Sequence, residues 1–261
     1  VTCIASLKAE RQQPRHRNMD IVIKLNSQTV GKDKIARYWN GAGNSGTTVA
    51  LIDFTRHSSR LCQYSCRALW ASKDGSESIE TVQLLKHIES ILSSFRKLLR
   101  FGKGFEVLYS ATAGLKLKEL SAQLFITLGK IASGLFLLAD HVVWLSRSGI
   151  NKNINTSKWV DRSNRFWLIS ILFNLCRDVQ ELYRLFVYYS RSNIRNLQRT
   201  LYAVYRENKP LLVDTIKNVC DVFIPLNGLG ILPVSNQTIG LLGAISSLMG
   251  LLPLVYPRLK F

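Results

Sequence analysis

IGLLGAISSLMGLLPLVY, residues 239–256, decides how the rest of this chain is read. Nearly every residue in it is apolar or small, and the run stops against Arg258 and Lys260. It is the second half of a longer stretch, residues 222–257, that carries no charged side chain, in a protein of formal net charge +18. A hydrocarbon core about 30 Å thick takes roughly 20 such residues in a helix. The chain is therefore expected to end in a membrane span over residues 239–257. Within that span Gly240 and Ala244, Gly243 and Ser247, and Ser246 and Gly250 are small residues four apart. Such spacing lets helices approach closely in lipid, so Gly240, Gly243, Ala244, Ser247 and Gly250 are candidates for self-association.

Composition narrows the partners. The chain has 261 residues, 35 of them Lys or Arg against 17 Asp or Glu. That excess favours an anionic partner, either nucleic acid or an anionic lipid surface. The basic residues are spread over several helix-like segments instead of forming one arm, and with the apolar tail this argues against nucleic acid. Five cysteines (Cys3, Cys62, Cys66, Cys176, Cys220) form no CxxC pair and have no histidine at ligand spacing. Neither a disulfide framework nor a structural zinc site is expected, and no cofactor is implied. The first 18 residues lack the apolar core of a secretory signal.

Away from the tail the pattern is helical throughout, with no strand or hairpin signal. Residues 1–18 show no periodicity and read as a non-native or disordered leader before Met19. Residues 38–60 are rich in Gly, Thr and Ser and read as a disordered insertion in a single helical domain spanning 19–261. Residues 80–103 form the strongest amphipathic helix. Leu84, Ile88, Ile91, Phe95 and Leu98 make one stripe, with Leu85, Leu92 and Leu99 beside it, and together they cover a face roughly 140° wide. Arg96, Arg100 and Lys103 flank that face, Lys86 and Lys97 lie further round, and Gly102 and Gly104 are expected to stop the helix. Residues 119–145 form a candidate first span, interrupted by Lys130 and closed by Asp140 and His141. Thr156 or Ser157 is placed to cap a long helix over 159–189, and a further helix over 211–223 is expected to end at Pro225.

No catalytic constellation is present. The histidines His16, His57, His87 and His141 are scattered, and there is no phosphate-binding loop, nucleophile elbow or HExxH. The chain is not expected to be an enzyme. On periodicity alone the helix over 80–103 has two readings. It is a bundle helix with its stripe in the core, or it lies in the plane of a membrane with cations at the headgroups. In the second reading, burial of its eight large apolar side chains contributes roughly 10 kcal/mol before ordering is subtracted. Such a wedge expands one leaflet and bends the bilayer.

Several segments, in order, resemble the peroxin-eleven family of peroxisomal membrane proteins. They are MDIVIKLNSQTVGKDKIAR from Met19, SSFRKLLRFGK (93–103), DHVVWLSRSG (140–149), KWVDRSNRFWLISILFNLCRD (158–178), KPLLVDTIKNVCDVFIPLNGLG (209–230) and IGLLGAISSLMGLLPLVYPRLK (239–260). The resemblance covers about 200 residues; residues 1–18 and 38–60 have no counterpart in it. It implies an all-α integral protein of the peroxisomal membrane that elongates the organelle ahead of fission. It also implies self-association, insertion through the peroxin-nineteen import receptor, and contact with the fission machinery. Mapped onto 80–103, it puts Leu84, Leu85, Ile88, Ile91, Leu92, Phe95, Leu98 and Leu99 in the membrane. Lys86, Arg96, Lys97, Arg100 and Lys103 then meet anionic headgroups. The resemblance also allows a channel for small metabolites, with Lys130, Asp140 and Arg177 on a polar path.

Overall fold

The computed structural model describes residues 45–72, 79–114, 119–150, 154–191, 205 and 208–256. The chain divides into Val1–Thr48 and Val49–Phe261. Of the first unit only 45–48 are described, as a helix start; all the rest belongs to the second. The described elements are all helices: α1 (Ser45–Ser72), α2 (Ile79–Leu99), α3 (Lys103–Gly114), α4 (Leu120–Arg147), α5 (Thr156–Arg191), α6 (Lys209–Gly228) and α7 (Asn236–Val255).

Two of these helices, α4 and α7, are long and apolar enough to cross a bilayer. At 1.5 Å per residue α4 is about 42 Å long and α7 about 30 Å. Only 28% of the apolar window of each is buried, which separates them from the core helices of a water-soluble protein. They fit the two spans expected over 119–145 and 239–257, with ends shifted by a few residues.

Local chemistry sets the helix ends. Gly102 adopts φ +77°, a left-handed turn open to glycine, and α2 passes into α3 there. Gly104 does not stop a helix: it lies in the first turn of α3, where a Cβ would meet Leu138 at 3.1 Å. Across the same contact a Cβ on Gly134 would sit 2.5 Å from Leu108, so α3 and α4 approach nearly backbone to backbone. The start of α5 is held by Asn155, whose Oδ1 accepts from the Lys158 amide at 3.2 Å, one residue before the expected caps. Ser235 caps α7, accepting from the Thr238 amide at 3.1 Å.

Two further expectations are corrected. Pro225 does not end α6; the helix continues to Gly228 with Pro225 buried in its last turns. The missing amide removes one hydrogen bond, and Gly230 at φ +70° closes the chain instead. Residues 45–60, the larger part of the segment read as a disordered insertion, belong to α1. Leu51 and Phe54 face outward there, while Asp53, Arg56 and Arg60 make ion pairs on the inner side. Residues 1–18 and 38–44 lie outside the described residues.

The packing runs in chain order. α4 packs against α3 and α5, α5 against α6, and α6 against α7, while α2 touches α4. α1 is tied to the others by long-range polar contacts: Arg60 to Asp221 of α6 at 2.5 Å, Arg67 to Glu89 of α2 at 2.7 Å, and Lys103 of α3 to Asp53 at 3.2 Å.

Candidate functional site

The expected amphipathic helix is present as α2, and its apolar row faces out of the bundle. Ile91 is 53% exposed and Phe95 41%, with Leu84 and Leu98 exposed beside them. Leu85, Ile88, Leu92 and Leu99 flank this row and are half-buried. The row is not a core stripe: among the described residues its side chains are only about half covered.

The opposite side of α2 points inward. Glu89 is buried, accepting from Arg67 Nε at 2.7 Å and from Trp70 Nε1 at 2.8 Å. Lys97 Nζ donates to Asp140 of α4, and Arg100 reaches the second oxygen of the same carboxylate at 3.2 Å. His141 Nε2 donates to the Arg100 carbonyl at 3.0 Å. Arg96 is only 9% exposed. Its Nε is buried without a hydrogen-bond partner, and its guanidinium lies 6.0 Å from the Tyr64 ring. Burial first, then the neighbouring Arg100, pushes the Arg96 guanidinium down to about 9.

The expected headgroup contacts are therefore corrected. Arg96, Lys97 and Arg100 face the bundle interior, and Lys103 pairs with Asp53. Of the five cations only Lys86 is exposed, with its ammonium 4.8 Å from the Trp70 ring centre. An unpaired cation is costly in an apolar setting; Asp140 draws Lys97 and Arg100 inward and Asp53 holds Lys103, while Glu89 and Asp221 hold Arg67 and Arg60 of α1.

The other helices repeat the inversion. On α5, Leu172 and Val179 are exposed while Ser163, Ser170 and Asp178 are buried. Asp178 is fully enclosed; it accepts from Arg177 at 2.6 Å and from Asn218 of α6 at 2.9 Å. On α6, Ile216 and Val219 face out and Asn218 and Asp221 face in. Exposed apolar rows beside buried polar and charged groups suit helices that meet lipid.

Between α1, α2, α4, α5 and α6 lies a half-open cavity of about 770 Å³. Nine lysine and arginine side chains line it, against the two carboxylates of Glu89 and Asp140. His57 also lines it; burial first, then Arg56 and Arg60, push its imidazole down to about 3, so it is neutral at physiological pH. Of the three residues placed on a channel path, only Asp140 reaches this cavity. Lys130 donates to the Ser110 carbonyl at 3.1 Å, and Arg177 joins Asp178 to Asp214.

The small residues of α7 meet α1 of the same chain. A Cβ on Gly240 would fall 2.4 Å from the Ala68 amide nitrogen, one on Gly243 2.3 Å from the Tyr64 ring, and one on Gly250 2.6 Å from His57 Nδ1. Ser247 is buried and donates to the Gly243 carbonyl at 2.6 Å, and Ala244 is half-buried. The row expected to meet a second copy is thus occupied within the monomer. Leu241, Ile245 and Leu248 form the outward face of α7.

The sequence could not place the interior cations because their partners are distant; Lys97 and Asp140 are 43 positions apart. The one local hint was Asp140 itself, a carboxylate beside an apolar run.

These features define the class: a helical integral membrane protein with a polar interior and an amphipathic helix whose apolar row lies on the outside. The chain belongs to the peroxisomal biogenesis factor 11 (PEX11) family, whose model matches residues 57–255. It is 31% identical to peroxisomal membrane protein 11B of Homo sapiens, over 77% of this chain and 93% of that protein. It is 30% identical to peroxisomal membrane protein 11A of Mus musculus, over 93% and 98% respectively. Peroxisomal membrane protein PMP30B of Candida boidinii is 25% identical over 74% of this chain and 85% of its own length. No solved structure matches. The chain is an integral protein of the peroxisomal membrane.

Proposed function

We propose that this protein elongates the peroxisomal membrane ahead of fission, with the outward row of α2 as the wedge and no catalytic step. The observation that carries the reading is the exposure of Leu84, Ile91, Phe95 and Leu98 along one side of a 21-residue helix. Because the cations of α2 are drawn inward, its pull on the bilayer is mainly apolar, with Lys86 at the boundary. The side chains are about half exposed, so each has about 1 kcal/mol to gain from lipid, and the four together about 4 kcal/mol. Self-association belongs to the same proposal and falls to Leu241, Ile245 and Leu248, since the small-residue row is filled by α1. Anionic lipids, the peroxin-nineteen import receptor and the fission machinery are the partners this reading assigns, without nucleic acid.

The test is reconstitution of the full chain into anionic liposomes, read by electron microscopy. Wild type is expected to tubulate them. The pair Ile91→Glu and Phe95→Glu removes about half of the apolar gain and adds two charges at the lipid boundary, so tubulation is expected to stop while α4 and α7 keep the protein inserted. Tubules of wild-type number and length from the inserted double variant would remove the wedge.

A further inference from the structure

We propose that the interior cavity is a binding site for a phosphate-bearing polyanion. It is distinct from the outer face of α2 and does not rest on the remodelling role. The argument begins with charge. The acidic side chains at the cavity are already committed: Glu89 to Arg67 and Trp70, Asp140 to Lys97 and Arg100, Asp221 to Arg60, and Asp53 to Arg56 and Lys103. Arg96 is left over. It lines the cavity, it is more than nine-tenths buried, and its Nε has no partner. A guanidinium in that position is costly unless an anion meets it.

Shape and hydrogen bonding point to the ligand class. Nine cations border about 770 Å³; against the five carboxylates paired with them, Asp53, Glu89, Asp140, Asp214 and Asp221, four positive charges remain, more than a single monovalent ion balances. Guanidinium groups of α1 and α2 converge there, and their paired N–H donors match the oxygens of a phosphate group. Ser90, Ser93 and Ser133 add hydroxyl donors from two sides. Phe136 and Trp167, stacked 5.4 Å apart, give the same cavity an aromatic wall suited to the organic part of such a molecule. The burial that pushes Arg96 down to about 9 still leaves it charged at neutral pH. A soluble organophosphate and a phospholipid headgroup share this chemistry.

The experiment uses the full chain in a non-ionic detergent, with thermal unfolding and calorimetric titration at fixed ionic strength. The soluble probes are inorganic pyrophosphate and ATP. The lipid probe is short-chain phosphatidic acid, with phosphatidylcholine of equal chain length as control. Saturable binding is expected; pyrophosphate or ATP alone binding identifies a soluble ligand, and phosphatidic acid alone a headgroup. Arg96→Gln is expected to weaken binding by about tenfold or more without lowering the melting temperature of the free protein. Ser93→Glu places a carboxylate three residues from Arg96 on the same helix, inside the cavity. It is expected to raise the melting temperature of the free protein and to abolish the ligand-induced rise. Arg162→Gln, on the exposed surface over Trp159, is expected to bind as wild type does. The proposal is overturned if no probe binds saturably, if sodium chloride at matched ionic strength gives the same shifts, or if Arg96→Gln and Ser93→Glu bind like wild type.

Discussion

Gly243→Ala adds one methyl group to α7 and asks what the small-residue row is for. The new Cβ would lie 2.3 Å from both Cγ and Cδ1 of Tyr64 and 2.7 Å from Cδ2. Carbon atoms in contact prefer about 3.5–4.0 Å, so the ring must retreat by more than an ångström. It has little room: Tyr64 is buried, with the Arg60 guanidinium 5.6 Å and the Arg96 guanidinium 6.0 Å from its centre. Overpacking of this kind costs about 1–3 kcal/mol. For a chain of this size that is a fall of about 2–12 °C in melting temperature. The assay is thermal unfolding of the full chain in detergent, run beside light scattering for oligomeric state. Leu241→Ala, on the outward face of the same helix, is the control and is expected to move the melting temperature far less. If Gly243→Ala melts with the wild type but dissolves an oligomer, the row meets a second copy, and the packing of α7 on α1 is refuted.

Two further outcomes follow from the ion pairs. Asp140→Asn leaves Lys97 and Arg100 buried without a carboxylate and is expected to destabilise the bundle by about 3–5 kcal/mol. Arg184→Gln, which breaks an exposed pair with Glu119, is expected to cost about 1 kcal/mol or less; equal shifts for the two in thermal unfolding would contradict the buried network. Burial alone would raise Asp53, but Arg56 and Lys103 outweigh it and hold the carboxyl below its usual 3.8. Its contribution to stability is therefore complete above pH 3.8 and is lost as pH falls through the lower folded value. Melting curves run downward from pH 3.8 are expected to show an acid-sensitive component that Asp53→Asn removes; a profile unchanged by that substitution would contradict the pairing of α1 with α3.

What the sequence made legible was local. The uncharged run before Pro257 marks α7, and the period of Leu84, Ile88, Ile91, Phe95 and Leu98 marks α2, because each signal lies within one helix. Which way the cations of α2 turn was not legible. Arg96 and Arg100 sit beside the apolar face on a helical wheel and Lys97 lies further round, as headgroup contacts would. Only the fold brings Asp140 against two of them. The same holds for α1: Gly, Thr and Ser content lowers its helical signal, and the contact that fixes Arg60 is 161 positions away. The small residues of α7 gave the correct property, close approach, with the wrong neighbour. Spacing reports that a backbone can come near, and nothing in it names the backbone that does.

The pair between Arg60 and Asp221 has a consequence for biosynthesis. Translation proceeds at about 5–20 residues per second, so Arg60 leaves the ribosome roughly ten to thirty seconds before its counter-charge exists. During that interval α1 carries naked guanidinium groups beside Leu51, Phe54 and Leu69, unsuited to lipid on one side and to cytosol on the other. A nascent chain of this design carries that unpaired charge until α6 has been made.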